Sequence, residues 1–251
     1  MTAHLSAQDW AHILNAVPQD FKAIAFGDPA AGLPRSKVVV AEHSLPTLDD
    51  LQVIAEDLAG KTQVAVHAVT YEALVLALIG LGGLGDRLRI EHAFMADDDM
   101  IELAAGSGAT IGVQPGFIWS QGRRIAGELH PSDMPNYQPL RRLHAAGLRL
   151  FGGTDAPFAP ANPWMAMQAA VTRRTQGGGV LNPQEALTPN QAFALFTRGG
   201  LCGDVGPPDL EMGQGDGVIL LGKNWAAAGS DFDDIAVIAR AFAQSAASIE
   251  T

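Results

Sequence analysis

The chain has 251 residues, 47% of them hydrophobic and 17% charged, which suffices for one large domain with a sizeable core. Acidic residues outnumber basic ones 27 to 16, and the formal net charge of −11 excludes binding driven by neutralising phosphates, so no nucleic-acid partner is expected. One cysteine, Cys202, excludes an intrachain disulfide framework and a cysteine-built zinc site. No apolar run reaches the ~18 residues of a membrane span, and residues 1–15 carry no basic-then-apolar leader. The expectation is a soluble, cytoplasmic protein with no membrane partner.

Short apolar runs alternate with helix-length segments along the chain. Strands are predicted at residues 21–26, 37–40, 63–69, 88–93, 110–114 and 148–152, nearly continuous in Val, Ile, Leu and Phe, as in a parallel sheet buried on both faces. The run 73–84 reads as a helix without a polar face, a hydrophobic surface that needs a neighbour. Asp97 caps a helix with Asp98 and Asp99 in its first turn and Gly106 as its stop. Asn162-Pro163 opens a helix through Arg174. Thr188 and Gln191 form a capping-box start for a helix that ends at Arg198, before Gly199-Gly200. Residues 212–222 read as a turn and a lone strand, and 230–246 as a loop and closing helix. The alternation predicts an α/β fold, either doubly wound or part of a barrel, over residues 1–205, with a small appendage at 206–251.

Two of the seven histidines, His67 in QVAVHAV and His92 in LRIEHA, stand near the carboxyl ends of strands, the end that opens onto active sites in parallel α/β folds. The strand 148–152 runs into Thr154-Asp155-Ala156-Pro157, which puts a carboxylate at the same end, and Lys37 starts the strand 37–40. Two imidazoles and a carboxylate suit a divalent transition metal, most naturally zinc. Each has a plainer reading: a hydrogen-bonded structural histidine, an Asx-turn aspartate, a surface lysine. Trp119, Trp164 and Phe158 lie close to this rim in sequence and suit a substrate pocket, with core packing the equal alternative for Trp164. Gly80, Gly82 and Gly85 match a dinucleotide fingerprint, but in the wrong order of helix and strand. No nucleophile elbow occurs.

The stretches VAVHAV, DRLRIEHA, TIGVQPGF, LRLFGGTDAPFAPANPW and MAMQAAVTRRT, in that order, resemble the amidohydrolase superfamily. The nearest branch is amidohydrolase family 3, which includes N-substituted formamide deformylases, and the resemblance spans residues 37 to 222. It implies a metal-dependent hydrolase of non-peptide carbon–nitrogen bonds on a TIM-type (β/α) barrel, with a small β-sandwich of which residues 206–251 are a remnant. By that resemblance His67 and His92 are metal ligands. Asp155 is a further metal ligand and the aspartate that activates the hydrolytic water, and Lys37 is a ligand as well, the lysine that is carboxylated in some members and bridges two metals. Gln114, Trp119 and Phe158 fall where substrate is held. The family's His-x-His tripeptide is found nowhere in this chain, so the barrel is expected to be partial, with about six strands, and to hold one zinc rather than two. The expected partners are a small-molecule substrate and, over the open barrel edge, residues 5–26 or a second copy of the chain. The alternative is a non-catalytic or truncated relative acting as a binding or assembly subunit.

Overall fold

A computed structural model describes residues 7–16, 26–27, 33–197, 217–221 and 237–242. After helix α1 (Ala7–Ala16), strands and helices alternate: β1 (Arg35–Val39), α2 (Leu48–Asp57), β2 (Gln63–Ala68), α3 (Tyr71–Leu81), β3 (Leu88–His92), α4 (Asp98–Ser107) and β4 (Thr110–Val113). There follow α5 (Gly116–Glu128), α6 (Leu140–Ala145), β5 (Arg149–Gly152), α7 (Pro163–Thr172) and α8 (Pro189–Thr197). Strands β1 to β5 pair in chain order, and every pairing is parallel. A doubly wound sheet reverses its strand order at a switch point, and this sheet does not. It is an arc of a (β/α) barrel, which resolves the choice left open by the alternation.

Five of the six expected strands are therefore present. The first, 21–26, lies outside the described residues except for Phe26. The next residue, Gly27, bridges Ser36 in parallel, donating to the Arg35 carbonyl at 3.3 Å and accepting from the Lys37 N–H at 2.7 Å. Gly27 thus lies alongside β1 on the side away from β2.

One face of the sheet, formed by Val64, Val66, Leu88, Ile90, Ile111 and Leu150, is buried in the main hydrophobic cluster with Leu51, Leu74, Leu78 and Ile101 of the surrounding helices. Each fully buried aliphatic side chain there contributes about 1.5–3 kcal/mol. The apolar run expected to need an outside neighbour finds it within the fold. Thr70 caps α3, accepting from the Ala73 N–H at 3.3 Å, and Ala73, Leu74, Ala77, Leu78 and Leu81 are buried while Ile79 stays exposed. A Cβ on Gly80 would stand 2.7 Å from the buried Leu51 side chain, so the glycine is what lets α2 and α3 approach. A short 3₁₀ turn, Gly82–Arg87, then leads into β3, which is why the Gly80/Gly82/Gly85 pattern holds no phosphate-binding helix end.

Two expected helix ends shift, and a third lies beyond the described residues. Helix α4 continues through Gly106 and stops at Gly108, whose φ of 74° reverses the chain. Helix α7 stops at Thr172 because Arg173 adopts a left-handed conformation. Helix α8 is described to Thr197, and the expected end at Arg198 lies outside the described residues. The closing helix expected within 230–246 is corrected. Val237–Phe242 is a strand, β7, antiparallel to β6 (Gly217–Leu221). A lone apolar strand leaves its backbone groups unpaired, and the β-branched Val237-Ile238 start suits the partner that pairs them.

Candidate active site

The register aligns Val39, His67, Glu91, Gly112 and Phe151 across the sheet, and Lys37, Ala65, Arg89, Thr110 and Arg149 in the row two residues earlier. Directly paired residues in a parallel sheet point to the same side, so both rows line the face away from the helical core. A Cβ on Gly112 would collide with the Phe151 ring and a Glu91 carboxylate oxygen, which confirms that these side chains share one space.

His92 pairs with Ala68 and by strand alternation belongs on the opposite, core-facing side with Ile90. Its φ of 82°, followed by 44° at Ala93, breaks the strand there and re-aims the side chain. As a result its ring meets that of His67 edge to face, with centroids 4.5 Å apart. A non-glycine residue held in this left-handed region costs about 1–3 kcal/mol, strain that clusters at functional sites. The residue is 7% exposed, and its Nδ1 lies 2.9 Å from Oε1 of Gln114.

Burial, the neighbouring His67 and Lys37 hold the His92 imidazole down to a pKa of about 3, against a smaller upward pull from the Gln114 hydrogen bond. Burial first, then the Lys37 cation, also lowers His67, with Glu42 pulling the other way. Both rings are therefore neutral at pH 7, the form in which imidazole donates an electron pair to a metal. Asp155, with φ of 53°, sits in the turn after β5, where its carbonyl accepts from the Phe158 N–H at 2.9 Å. Although the residue is exposed, partial desolvation pushes its carboxyl above the usual range, Lys37 opposes this, and Glu91 reinforces it. The shared influence of Lys37 on His67, His92 and Asp155 sets its ammonium within electrostatic reach of all three.

The structure thus brings His67 and His92 together. Among the described residues, however, no three His, Cys, Asp or Glu side chains converge as a metal-binding group, so Asp155 does not complete one with the histidines. The residues present fit two positions of a zinc ligand set: two neutral imidazoles in contact, one with its Nδ1 already engaged by an amide oxygen. Gln114 is 3% exposed and packed behind His92, held also by the Glu91 carboxylate and the Gly112 carbonyl. Trp119 lies within helix α5 and packs on the core, as does Trp164. Phe158, in the same turn as Asp155, is 56% exposed.

Two residues escaped the sequence reading. Glu91, next to His92 in sequence, carries no motif of its own, yet strand alternation places it on the His67 face. Arg173, wholly buried, donates to the carbonyls of Leu181 at 2.9 Å, Gln138 at 3.1 Å and Tyr137 at 3.2 Å. The Gln138 amide in turn donates to the Gln114 carbonyl at 3.3 Å. Nothing in the local pattern of MAMQAAVTRRT distinguishes Arg173 from the exposed Arg174 next to it.

A chain-ordered parallel sheet with polar side chains gathered at the carboxyl ends of its strands has the plan of a (β/α)-barrel enzyme. Residues 10–201 match the family model described as the amidohydrolase family, and the chain belongs to that family, in the family 3 branch marked by the ordered motifs. A putative amidohydrolase, YtcJ, of Bacillus subtilis is 28% identical over 192 residues, 69% of this chain and 36% of that protein. An N-substituted formamide deformylase of Arthrobacter pascens is 30% identical over 112 residues, 44% of this chain and 20% of that protein. Among solved structures, an uncharacterized metal-dependent hydrolase from Pyrococcus horikoshii superposes with a TM-score of 0.56 at 27% identity, covering 69% of this chain and 37% of the other. A second, from Pyrococcus furiosus, has a TM-score of 0.58 at 23% identity, covering 78% and 44%, and shares the fold. The chain spans about a third of the YtcJ length and a fifth of the deformylase length. No helix among the described residues is long and apolar enough to cross a membrane.

Proposed function

We propose that the chain carries one metal site of a hydrolase acting on carbon–nitrogen bonds other than peptide bonds, such as those of N-substituted formamides or cyclic amides. The observation that carries this is the contact of two neutral imidazoles, His67 and His92, at the strand ends of a barrel-type sheet. Family membership and the resemblance to a metal-dependent hydrolase at 27% identity support it, and the deformylase relative supports a small amide as substrate. In this reading His67 and His92 hold one divalent cation, zinc by the nature of the donors, with Lys37, once carboxylated, as the third ligand and Asp155 alongside. Bound zinc lowers the pKa of water and polarises the scissile carbonyl.

The protein's own groups do the rest. Asp155 accepts the proton of the attacking water at a carboxylate oxygen and returns it to the leaving nitrogen, a role that its raised pKa suits. The exposed Phe158 ring offers an apolar wall for the substrate, and Trp119 on α5 is the second aromatic assigned to substrate. Gln114 holds His92 rather than the substrate. A second copy of the chain covering the open sheet edge belongs to the same proposal.

The test is elemental analysis of protein purified without added metal, together with hydrolysis of a panel of N-substituted formamides. About one zinc per chain, lost in H67A and in H92A, is the expected result. The absence of a third donor among the described histidines and carboxylates favours the second reading, a non-catalytic relative. Protein that neither carries zinc nor takes it up on titration establishes that reading instead.

A further inference from the structure

The Gln114 side chain touches three groups. Its Oε1 faces His92 Nδ1 at 2.9 Å, and its Nε2 faces the Glu91 carboxylate at 3.4 Å and the Gly112 carbonyl at 3.3 Å. A carboxylate and a carbonyl only accept hydrogen bonds. The end of the amide that faces them is therefore the NH2, because the reversed amide sets its oxygen against two acceptors in a buried site. Oε1 is thereby committed to His92. An amide oxygen accepts only from an N–H, so His92 carries its proton on Nδ1. In a neutral imidazole that leaves the lone pair on Nε2.

Glu91 is itself fixed. Its carboxylate pairs with Arg89 two residues earlier on the same strand. The Arg89 guanidinium lies over the Phe151 ring, 3.9 Å from its centroid, and 5.3 Å from that of Phe26. The absent side chain at Gly112 leaves the room that Glu91 and Phe151 occupy.

We infer that Gln114, oriented by Glu91, is a positioning residue that holds His92 in the Nδ1–H tautomer and so keeps Nε2 as the ring's electron-pair donor. The use of that donor by a metal rests on the function proposed above, and the tautomer does not. Without such a partner, histidine in water favours the opposite tautomer, with the proton on Nε2, so the assignment differs from the default.

The experiment is nitrogen-15 NMR of the full, metal-free chain labelled at histidine, at neutral pH, with the His92 signals assigned by their loss in H92N. The expected wild-type pattern is a protonated Nδ1 and an unprotonated Nε2. Q114L shifts the ring toward the Nε2–H form, E91Q does so to a smaller extent, and the exchanged pair E91Q/Q114E, which keeps an oxygen facing His92, retains the wild-type form. A zinc titration read by the same spectra weakens 10–100-fold in Q114L. A wild-type His92 with its proton on Nε2, or a tautomer indifferent to Q114L, overturns the proposal, and a tautomer indifferent to E91Q overturns the part given to Glu91. Should Q114L fail to fold, the wild type, E91Q and the exchanged pair decide alone. The expected tautomer shifts in a protein that never binds zinc uphold the positioning role and overturn the metal site.

Discussion

The rings of His67 and His92 meet edge to face at 4.5 Å although the strand register assigns the two residues to opposite faces of the sheet. The left-handed backbone at His92 supplies the turn that alternation denies it. A residue that leaves β geometry at the last position of its strand is held there by its contacts, here the Gln114 amide and the His67 ring. The strain of about 1–3 kcal/mol is offset by what those contacts and the surrounding core contribute.

Asp155 is assigned to proton transfer. Asp155→Asn keeps the shape of the turn and removes the base, so turnover of an N-substituted formamide is expected to fall by about 10²–10⁴-fold while bound zinc stays at the wild-type level. Steady-state kinetics beside metal analysis of the same sample checks this. Equal turnover in the variant removes Asp155 from the chemistry.

Acid is expected to destabilise the fold through the histidines. His92 titrates near 3 when folded and near 6.5 when unfolded, so between these values the unfolded chain binds a proton that the folded chain does not. The contribution is complete above pH 6.5 and is lost as the pH falls toward 3, at about 1.4 kcal/mol per unit. His67, lowered for the same first reason, adds with the same sign. Asp155, raised by desolvation, opposes them over the interval just above the ordinary carboxylate value, where the folded form holds the extra proton. Urea midpoints between pH 7 and pH 4 should fall less steeply for H92Q than for the wild type. Parallel curves contradict the assignment.

Gly112→Ala tests the crowding on the inner face. The added methyl meets the Phe151 ring and the Glu91 carboxylate, which is anchored by Arg89, and overpacking of this kind costs about 1–3 kcal/mol. Because Glu91 also holds the Gln114 amide, zinc affinity should fall along with the urea midpoint. A variant as stable as the wild type would mean that Phe151 moves freely and the inner face is loosely packed.

Arg173→Met removes a buried fork that satisfies three carbonyls at once. The expected loss is about 1–3 kcal/mol, because the Leu181 carbonyl loses its donor in a buried site, while the Tyr137 carbonyl keeps the Asn182 amide and the Gln138 carbonyl keeps the Leu140 N–H. Arg173→Lys should recover little of it, because a compact ammonium lacks the planar fork. Chemical denaturation of both variants measures this, with Arg174→Met, exposed and outside that network, as the control. Indistinguishable midpoints for the Arg173 and Arg174 variants would refute the account.

Strand and helix positions were legible because burial on both sides of a parallel sheet writes itself as continuous apolar runs. The caps at Thr188 and Asp97 were legible because hydroxyl and carboxylate acceptors must stand beside free helix N–H groups. The segment 230–246 misled because a short apolar stretch carries no period long enough to separate strand from helix until its partner β6 is beside it. His67 was found by its place at a strand end. Glu91 and Gln114 were legible only in part: alternation gives their face, while their work depends on which atoms they meet. Arg173 was not legible at all, since its burial is decided by α7, by Leu181 and by the 137–138 segment some 35 residues away in sequence.

By itself the sequence determined the α/β alternation, the residue types at the strand ends and the family, because these depend on local composition and the order of motifs. Only the tertiary structure decided that the sheet keeps chain order like a barrel, that His92 turns across its own strand to reach His67, and that Gln114 serves His92. Those outcomes rest on register and on one left-handed dihedral, which arise when separate segments pack and which no single segment encodes.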